Sequence, residues 1–464
     1  MIRTRRTSAL PPDSRDFLPS SIAGWLVILA ALVAPWLGGA QTTLPNVRWW
    51  LGGALAAAFF ITLIGRRRIG IPPVAGLAAL FLLGCLGWWA TRPEPSFSTL
   101  FGEEHWAFLS ERYPRAIFQW PRMERLGFLA CVILGFLAAI HLGRRENFRR
   151  QLTLAIGGSG LAVALYALGL ARLGWPALPW TLIDGGTERW NVCFAHYSGP
   201  PACLNLAWPL LVFGASGRFA WVRRLAPVLL AAAALPLWDS AAGKLIAVAL
   251  LLAGAVWRWV ETRGWLTPRR TATLAAVALL ALVCGQWFSI SQMRSRTPDG
   301  WISADFSLVH ATADDARLRE LAAQRGDHLV PSPAAVRPSG WLCALRMAAD
   351  YPLLGPGPGA WVKRSALYTR DSVVSTFYHY RQYAHHDLLQ LAAEWGGLAA
   401  LAALYLWLGG LWRAVQHHPA EMGIVLSLAG VALHSTVDFP LQNPALQIWT
   451  ALLLGLTWSG RRAK

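Results

Sequence analysis

The segment Tyr351–Gly397 reads YPLLGPGPGAWVKRSALYTRDSVVSTFYHYRQYAHHDLLQLAAEWGG, and in it a polar, His-rich stretch runs directly into a long apolar helix. The whole chain shares this apolar character. Of its 464 residues, 55% are hydrophobic and 14% are charged, and the mean hydropathy is +0.39. A chain this apolar cannot hide its hydrophobic side chains inside one soluble core. The sequence therefore predicts an all-α, polytopic membrane protein.

About twelve apolar segments approach the roughly 20 residues that a helix needs to cross a hydrocarbon layer. They are Ser20–Gly39, Val47–Gly65, Pro72–Ala90, Met123–Leu142, Leu152–Leu170, Val192–Phe213, Leu225–Trp238, Ala241–Trp257, Thr271–Ile290, Leu388–Leu411, Glu421–Val437 and Leu441–Trp458. We expect spans 1–9 within residues 1–290, a long extracytoplasmic loop with short helices over residues 291–384, and spans 10–12 within residues 385–464.

Basic residues predict the orientation, because short loops rich in Lys and Arg tend to stay in the cytoplasm. The basic clusters fall on one side of a twelve-span arrangement, so both termini are predicted to be cytoplasmic and the loop 291–384 to face outward. The clusters are Arg3/Arg5/Arg6, Arg66–Arg68, Arg144/Arg145/Arg149/Arg150, Arg218/Arg223/Arg224, Arg258/Arg263/Arg269/Arg270, Arg413 and Arg461/Arg462/Lys464. Topology and anionic lipid headgroups explain the net charge of +18 better than nucleic acid does, since no separate basic domain exists.

The loop 291–384 contains two predicted helices. The first covers Asp314–Gln324, and the breaker run Val330–Gly340 separates it from the second, over Trp341–Tyr351. In the second helix, Trp341, Leu345 and Ala349 are spaced to share one face, which we expect to lie on the membrane surface or on the bundle.

Polar residues mark the start of the tenth span. The spacing of His386, Gln390 and Glu394 places them on one helix face, and ionisable groups inside a span are more often functional than incidental. The alternative is that His385 and Asp387 cap the helix and that Glu394 pairs with a structural arginine.

This segment resembles the O-antigen ligase and O-antigen polymerase family of bacterial membrane glycosyltransferases. The family's His-Asn-Asp-Tyr-Leu-Gln-like motif and the Ala-Glu-Trp-Gly that follows it look like His385–Gln390 (HHDLLQ) and Ala393–Gly396 (AEWG), with His386 in place of Asn and Leu388 in place of the aromatic residue. Tyr351–Gly359 (YPLLGPGPG) is similar to the family's His-Pro-Leu-Leu-Gly-x-Gly-x-Gly.

Three further features extend the resemblance. Arg337 and Trp341 have the family's four-residue spacing, and Leu433–Gln442 (LHSTVDFPLQ) is similar to its His-Ser-x-x-Asp-Phe-Pro-Leu-Gln signature. Arg189–His196 (RWNVCFAH) resembles its Arg-x-x-Gly-x-Phe-x-Asn turn more weakly. The fit covers Arg189–Leu210 and Arg337–Pro444.

The resemblance implies a GT-C-like fold and metal-independent transfer of a glycan from a polyprenyl-diphosphate carrier to an acceptor hydroxyl. Transfer would occur on the periplasmic side of a bacterial inner membrane. The acceptor could be a lipid A core, a growing glycan chain or a protein. No Asp-x-Asp metal site is apparent on the outer face, so we expect no cofactor and no metal, and we expect arginines to stabilise the leaving diphosphate.

The predicted catalytic residues are His385, Arg337 and Arg189, with His385 as the base at the acceptor hydroxyl because histidine titrates near neutral pH. His386 could serve instead of His385. The predicted substrate-binding residues are His386, Arg381, Glu394, His434 and Asp438, although a structural His434–Asp438 pair is an equal alternative.

A second function class is a lipid-linked glycan flippase or transporter, in which charged residues would line an alternating-access path. No internal repeat is visible, and the polar motifs concentrate on one predicted face. Both features favour the enzyme.

Overall fold

A computed structural model describes residues 14–37, 46–64, 70–92, 122–176, 178, 194, 199–214, 220–237, 240–262, 333–368, 383–417 and 421–460. For some helical residues in these ranges, including 333–339, only the backbone is described.

These parts of the chain are helical and contain no strand. The helices are α1 (Ser14–Val33), α2 (Val47–Ile64), α3 (Pro73–Thr91), α4 (Arg122–Leu142), α5 (Glu146–Leu173), α6 (Gly199–Gly214), α7 (Ala220–Ala234), α8 (Ala241–Thr262), α9 (Pro333–Asp350), α10 (Ala360–Arg364), α11 (Asp387–His417), α12 (Met422–His434) and α13 (Pro444–Trp458). Single 3-10 turns cover Leu235–Leu237, Ser365–Tyr368 and Pro440–Gln442.

Five described helices, α2, α3, α4, α5 and α11, are long and apolar enough to cross a membrane. Shorter apolar stretches lie in α1, α6, α7, α8, α12 and α13. Each predicted span overlaps one of these helices except Thr271–Ile290, which lies outside the described residues. The described part of the chain is thus all-helical and has helices suited to a membrane protein, and the number of about twelve spans stays a prediction. Large apolar side chains such as Leu401, Leu408 and Trp412 on α11 are exposed, as expected of a surface that meets lipid.

At one end of the bundle, here called the basic end, Arg149 at the start of α5 links several helix termini. Its guanidinium donates to the carbonyl oxygens of Gly143 and Leu456 and to the hydroxyl of Ser459. It also forms an ion pair with Glu421, just before α12. The end of α4, the start of α5, the start of α12 and the end of α13 therefore meet here.

The opposite end, here called the site end, contains the other termini of these helices. The indole of Trp89, in the last turn of α3, donates to the carbonyl of Gly355 at 2.8 Å. The backbone N–H of Asp387, the first residue of α11, donates to the carbonyl of Ser435 after α12 at 2.8 Å. The predicted basic cluster Arg144–Arg150 and the histidine motif thus lie at opposite ends of the bundle.

Helix α9 differs from its prediction in extent. It runs from Pro333 to Asp350 without interruption, so the predicted breaker run from Val330 to Gly340 is largely helical. Pro333 occupies the first helical position, where a missing N–H costs nothing. The helix also ends at Asp350, before the Gly355–Gly359 segment.

The burial pattern of α9 distinguishes the two surroundings predicted for its Trp341, Leu345 and Ala349 face. Gly340, Cys343, Ala344 and Met347 are buried, while Leu345 is exposed. The small residues allow α9 to approach α11 closely. Leu345 and Ala349 are exposed, so their face does not pack on the bundle, and the alternative that it lies on the membrane surface stays a prediction. The predicted helix over Asp314–Gln324 lies outside the described residues.

Candidate functional site

Helix α11 is broken at Gly396, and the loop after α9 fills the break. Gly396 has φ 79° and ψ 170°, so the regular helical hydrogen bonds stop at this residue. Gly357 N donates to Glu394 O at 2.7 Å, and Gly397 N donates to Pro352 O at 2.8 Å. The buried backbone groups that the break releases are therefore satisfied by the loop, as a membrane interior requires.

The glycines on both sides of this joint are sterically required. A Cβ at Gly355 would lie 2.2 Å from the carbonyl oxygen of Glu394, and a Cβ at Gly396 would lie 2.5 Å from the carbonyl oxygen of Leu353. The positive φ of Gly396 is a second reason for glycine. The two glycine motifs of the sequence, Gly355–Gly359 and Gly396–Gly397, thus form one backbone-to-backbone contact.

Glu394 also binds the C-terminal part of the same loop. Its buried carboxylate oxygen Oε1 accepts a hydrogen bond from Trp361 N at 3.0 Å, and the backbone of Gly359 also bonds to this side chain. The guanidinium of Arg125, on α4, lies directly against Gly359 and is electrostatically coupled to Glu394. The predicted alternative of a structural arginine partner for Glu394 therefore matches these contacts, and substrate binding by Glu394 stays a prediction.

Gln390 connects Glu394 to the residues before α11. Its Nε2 donates to Glu394 Oε1 at 3.4 Å, and its Oε1 accepts from Ala384 N at 2.9 Å. Both side chains are buried. Gln390 and Glu394 share one helix face, as predicted, whereas His386 contacts other residues.

His385 is buried and has a left-handed backbone with φ 54°. Its Nδ1 lies 3.2 Å from Asp438 Oδ1, and the edge of its ring packs on Phe439 with the centroids 4.7 Å apart. Its carbonyl accepts a hydrogen bond from the indole of Trp341 at 3.2 Å. The other carboxylate oxygen, Asp438 Oδ2, is 4.0 Å from His434 Nε2. One buried carboxylate is therefore flanked by two imidazoles.

Asp387 joins the two histidine-containing motifs. Its Oδ2 accepts from the hydroxyl of Ser435 at 3.0 Å and from Leu441 N at 2.8 Å, and its Oδ1 accepts from Gln442 Nε2 at 3.1 Å. The side chain thus binds the segment after α12, which differs from the alternative in which Asp387 caps α11.

His386 supplies the cap at the start of α11. Its Nδ1 accepts from Leu389 N at 3.3 Å, the bond that the Asn of the family motif would also be suited to make. Its ring meets Trp341 edge-on with centroids 5.6 Å apart. Burial lowers the pKa of His386 to about 4, so this imidazole is neutral near pH 7.

Two arginines that the sequence reasoning missed lie at the site end. Arg48 Nη1 on α2 is 3.3 Å from Glu124 Oε1, and the charges of Arg48 and Arg125 both act on Tyr383. Burial raises the pKa of Tyr383, while the two arginines oppose this shift. The sequence signal for both was their position, because they are basic residues at span ends that the predicted topology places outside.

The structure thus brings His385, Asp438 and His434 together, with His386 on the neighbouring turn and Glu394 further along α11. Arg337 belongs to α9 and lies one turn before Trp341. The indole of Trp341 donates a hydrogen bond to the carbonyl of His385. Arg189 and Arg381 lie outside the described residues.

Within the described ranges, no group of three or more His, Cys, Asp or Glu side chains could hold a metal ion. No protein-family model matches the chain, and no curated protein matches it.

Proposed function

We propose that the chain is a membrane glycosyltransferase of the O-antigen ligase or polymerase type, which moves a glycan from a polyprenyl-diphosphate carrier to an acceptor hydroxyl. The reaction would take place on the outer face of a bacterial inner membrane. The observation that carries the proposal is the 3.2 Å pair between His385 Nδ1 and Asp438 Oδ1 at one end of the bundle. Two segments that bear the family resemblance, His385–Gln390 and Leu433–Gln442, meet at this pair, and Trp341 donates a hydrogen bond to the carbonyl of His385.

The pair is suited to general-base catalysis. When Nδ1 is protonated and donates a hydrogen bond to Asp438, the ring is oriented and Nε2 is the basic nitrogen. In the proposed step, Nε2 takes the proton of the acceptor hydroxyl, and the oxygen attacks the anomeric carbon of the donor. The bond from that carbon to the diphosphate breaks, and the diphosphate leaves with the electron pair.

Positive charge would stabilise the departing diphosphate. Arg337, Arg189 and Arg381 keep this predicted role; Arg337 belongs to α9, one turn before Trp341. Arg48 and Arg125 add positive charge at the site end, partly balanced by Glu124 and Glu394.

Transport of the same lipid-linked glycan is the competing function. The buried His–Asp pair lies at the start of α11 rather than near its middle, and this position favours chemistry at a membrane surface over a path through the membrane.

The test compares carrier-linked and acceptor-linked glycan in the host deletion strain complemented with single variants. We expect His385→Ala to reach the membrane at the normal level, to accumulate carrier-linked glycan and to lose roughly 10²–10⁴-fold in transfer. His386→Asn is the matched control and should transfer normally. Normal transfer by His385→Ala would contradict the base assignment, and loss of carrier-linked glycan from the outer leaflet would favour the flippase.

A further inference from the structure

We propose that Gln390 is a positioning residue that holds His385 in its left-handed backbone conformation and links it, through Glu394, to the loop inserted in α11. This inference rests on the proposed function, because it assigns Gln390 an effect that is exerted through the imidazole of His385.

The backbone of His385 is an unusual feature that needs support. Among the described residues, His385 and Asn46 are the non-glycine residues with positive φ. An L-residue with a Cβ rarely adopts this conformation, and it persists where surrounding contacts hold it in place. Such conformations cluster at functional sites, where they aim a side chain that the regular backbone would point elsewhere.

Gln390 restrains the peptide next to His385 directly. The 2.9 Å bond from Ala384 N to Gln390 Oε1 fixes the amide group one residue before the strained φ. On the other side, Asp387 N donates to Ser435 O at 2.8 Å. Because Ala384 and Gln390 are both buried, removal of the acceptor would leave a buried N–H without this bond, and the local backbone would have to shift to restore one.

The amide nitrogen of Gln390 connects this restraint to the loop after α9. Nε2 donates to Glu394 Oε1 at 3.4 Å, and the same oxygen accepts from Trp361 N at 3.0 Å. A continuous set of hydrogen bonds therefore runs from Trp361 through Glu394 and Gln390 to the peptide beside His385. Packing alone would be served by apolar side chains at these two positions of a membrane helix, so polar residues are expected to serve orientation.

A double-mutant cycle separates this role from a merely structural one. Gln390→Met keeps the side-chain length and removes both hydrogen bonds, and we expect a 10–100-fold loss of transfer, the scale of a small misplacement of a catalytic group. In the His385→Ala background, the same substitution should change the residual transfer by less than about 3-fold, because residues that act as one unit are not additive.

Asn205→Leu is the matched control. It removes a buried amide whose Nδ2 donates to Gly243 O at 2.8 Å between α6 and α8. This variant should transfer normally, and its effect should be the same with and without His385. Membrane levels of every variant are measured in parallel. If Gln390→Met does not accumulate, Gln390→Glu takes its place, because it retains the acceptor for Ala384 N; a smaller loss is expected, again absent in His385→Ala.

Each result has a distinct meaning. Normal transfer by His385→Ala overturns the proposed base and this inference with it. Loss in His385→Ala with normal transfer in Gln390→Met overturns the inference alone. Additive losses in the double variant also overturn it, since they would mean that Gln390 acts independently of His385.

Discussion

At the residue scale, adjacent histidines have different surroundings. His385 Nδ1 faces the carboxylate of Asp438, whereas His386 Nδ1 accepts a backbone hydrogen bond from Leu389. An imidazole that caps a helix in a half-buried position must stay neutral to accept that bond. We therefore expect substitutions of His386 to change the stability of the protein and substitutions of His385 to change its turnover.

His386 should make the protein less stable in acid. Its pKa of about 4 lies below the ordinary value of 6.5, so between these pH values the unfolded chain binds a proton that the folded chain does not. This residue's contribution to stability therefore falls as the pH falls from about 6.5 to about 4. His386→Asn keeps a capping acceptor but cannot titrate, so it should match the unsubstituted protein at pH 7.5 and lose less thermal stability at pH 4.5.

Thermal unfolding in detergent, followed by tryptophan fluorescence at both pH values, measures this difference. The cap itself is worth on the order of 1 kcal/mol, so His386→Ala should be destabilised at pH 7.5 as well. An equal acid-induced decrease in Tm for His386→Asn and the unsubstituted protein would contradict the prediction.

At the element scale, the break in α11 is the feature on which the site depends. The break directs Glu394 O toward Gly357 N and leaves the first two turns of α11 to carry Gln390 and Glu394. Gly396 and Gly355 allow the two backbones to approach because neither has a Cβ.

Gly396→Ala should destabilise the protein by at least roughly 1–3 kcal/mol, the cost of a strained φ alone, before the clash with Leu353 O is added. Gly355→Ala should act in the same direction because its Cβ would meet Glu394 O. Gly84→Ala in α3 is the matched control, since nothing lies within 4 Å of its would-be Cβ. It should be neutral or slightly stabilising. Thermal unfolding and size-exclusion profiles in detergent measure the effects, and wild-type behaviour of Gly396→Ala would refute the required break.

At the scale of the whole molecule, the bundle has two ends with different residues. The basic end gathers Arg149 and its neighbours, and the site end gathers the His–Asp pair. If the basic end faces the cytoplasm, as the arginine pattern predicts, the site end faces outward.

A membrane-impermeant thiol reagent tests this orientation on intact cells. Ala349→Cys is exposed on α9 near the site end, and Asn147→Cys is exposed at the basic end. We expect the reagent to label Ala349→Cys in intact cells and Asn147→Cys only after permeabilisation, above the background of the unsubstituted protein. The reverse pattern would place the site in the cytoplasm and remove the proposed periplasmic reaction.

The sequence by itself predicted the apolar helices of the described residues and singled out the residues of the candidate site. A span follows from the length and apolar composition of its own segment, because a backbone in lipid must satisfy its hydrogen bonds within the helix. For the same reason, α2, α4 and α11 lie where the apolar segments predict them. The histidine and glycine motifs were also visible, since polar residues and glycines stand out in apolar surroundings.

Only the tertiary structure decided which motif residues meet. The His385–Asp438 pair spans 53 residues, and Glu394 bonds to Trp361 across 33; no local spacing encodes either contact. The sequence left open whether the face of α9 with Trp341, Leu345 and Ala349 meets the membrane surface or the bundle, because apolar side chains suit both lipid and protein neighbours and their periodicity does not separate the two. The contact that buries Cys343 and Met347 instead depends on how closely α9 can approach α11, which is a property of both helices together.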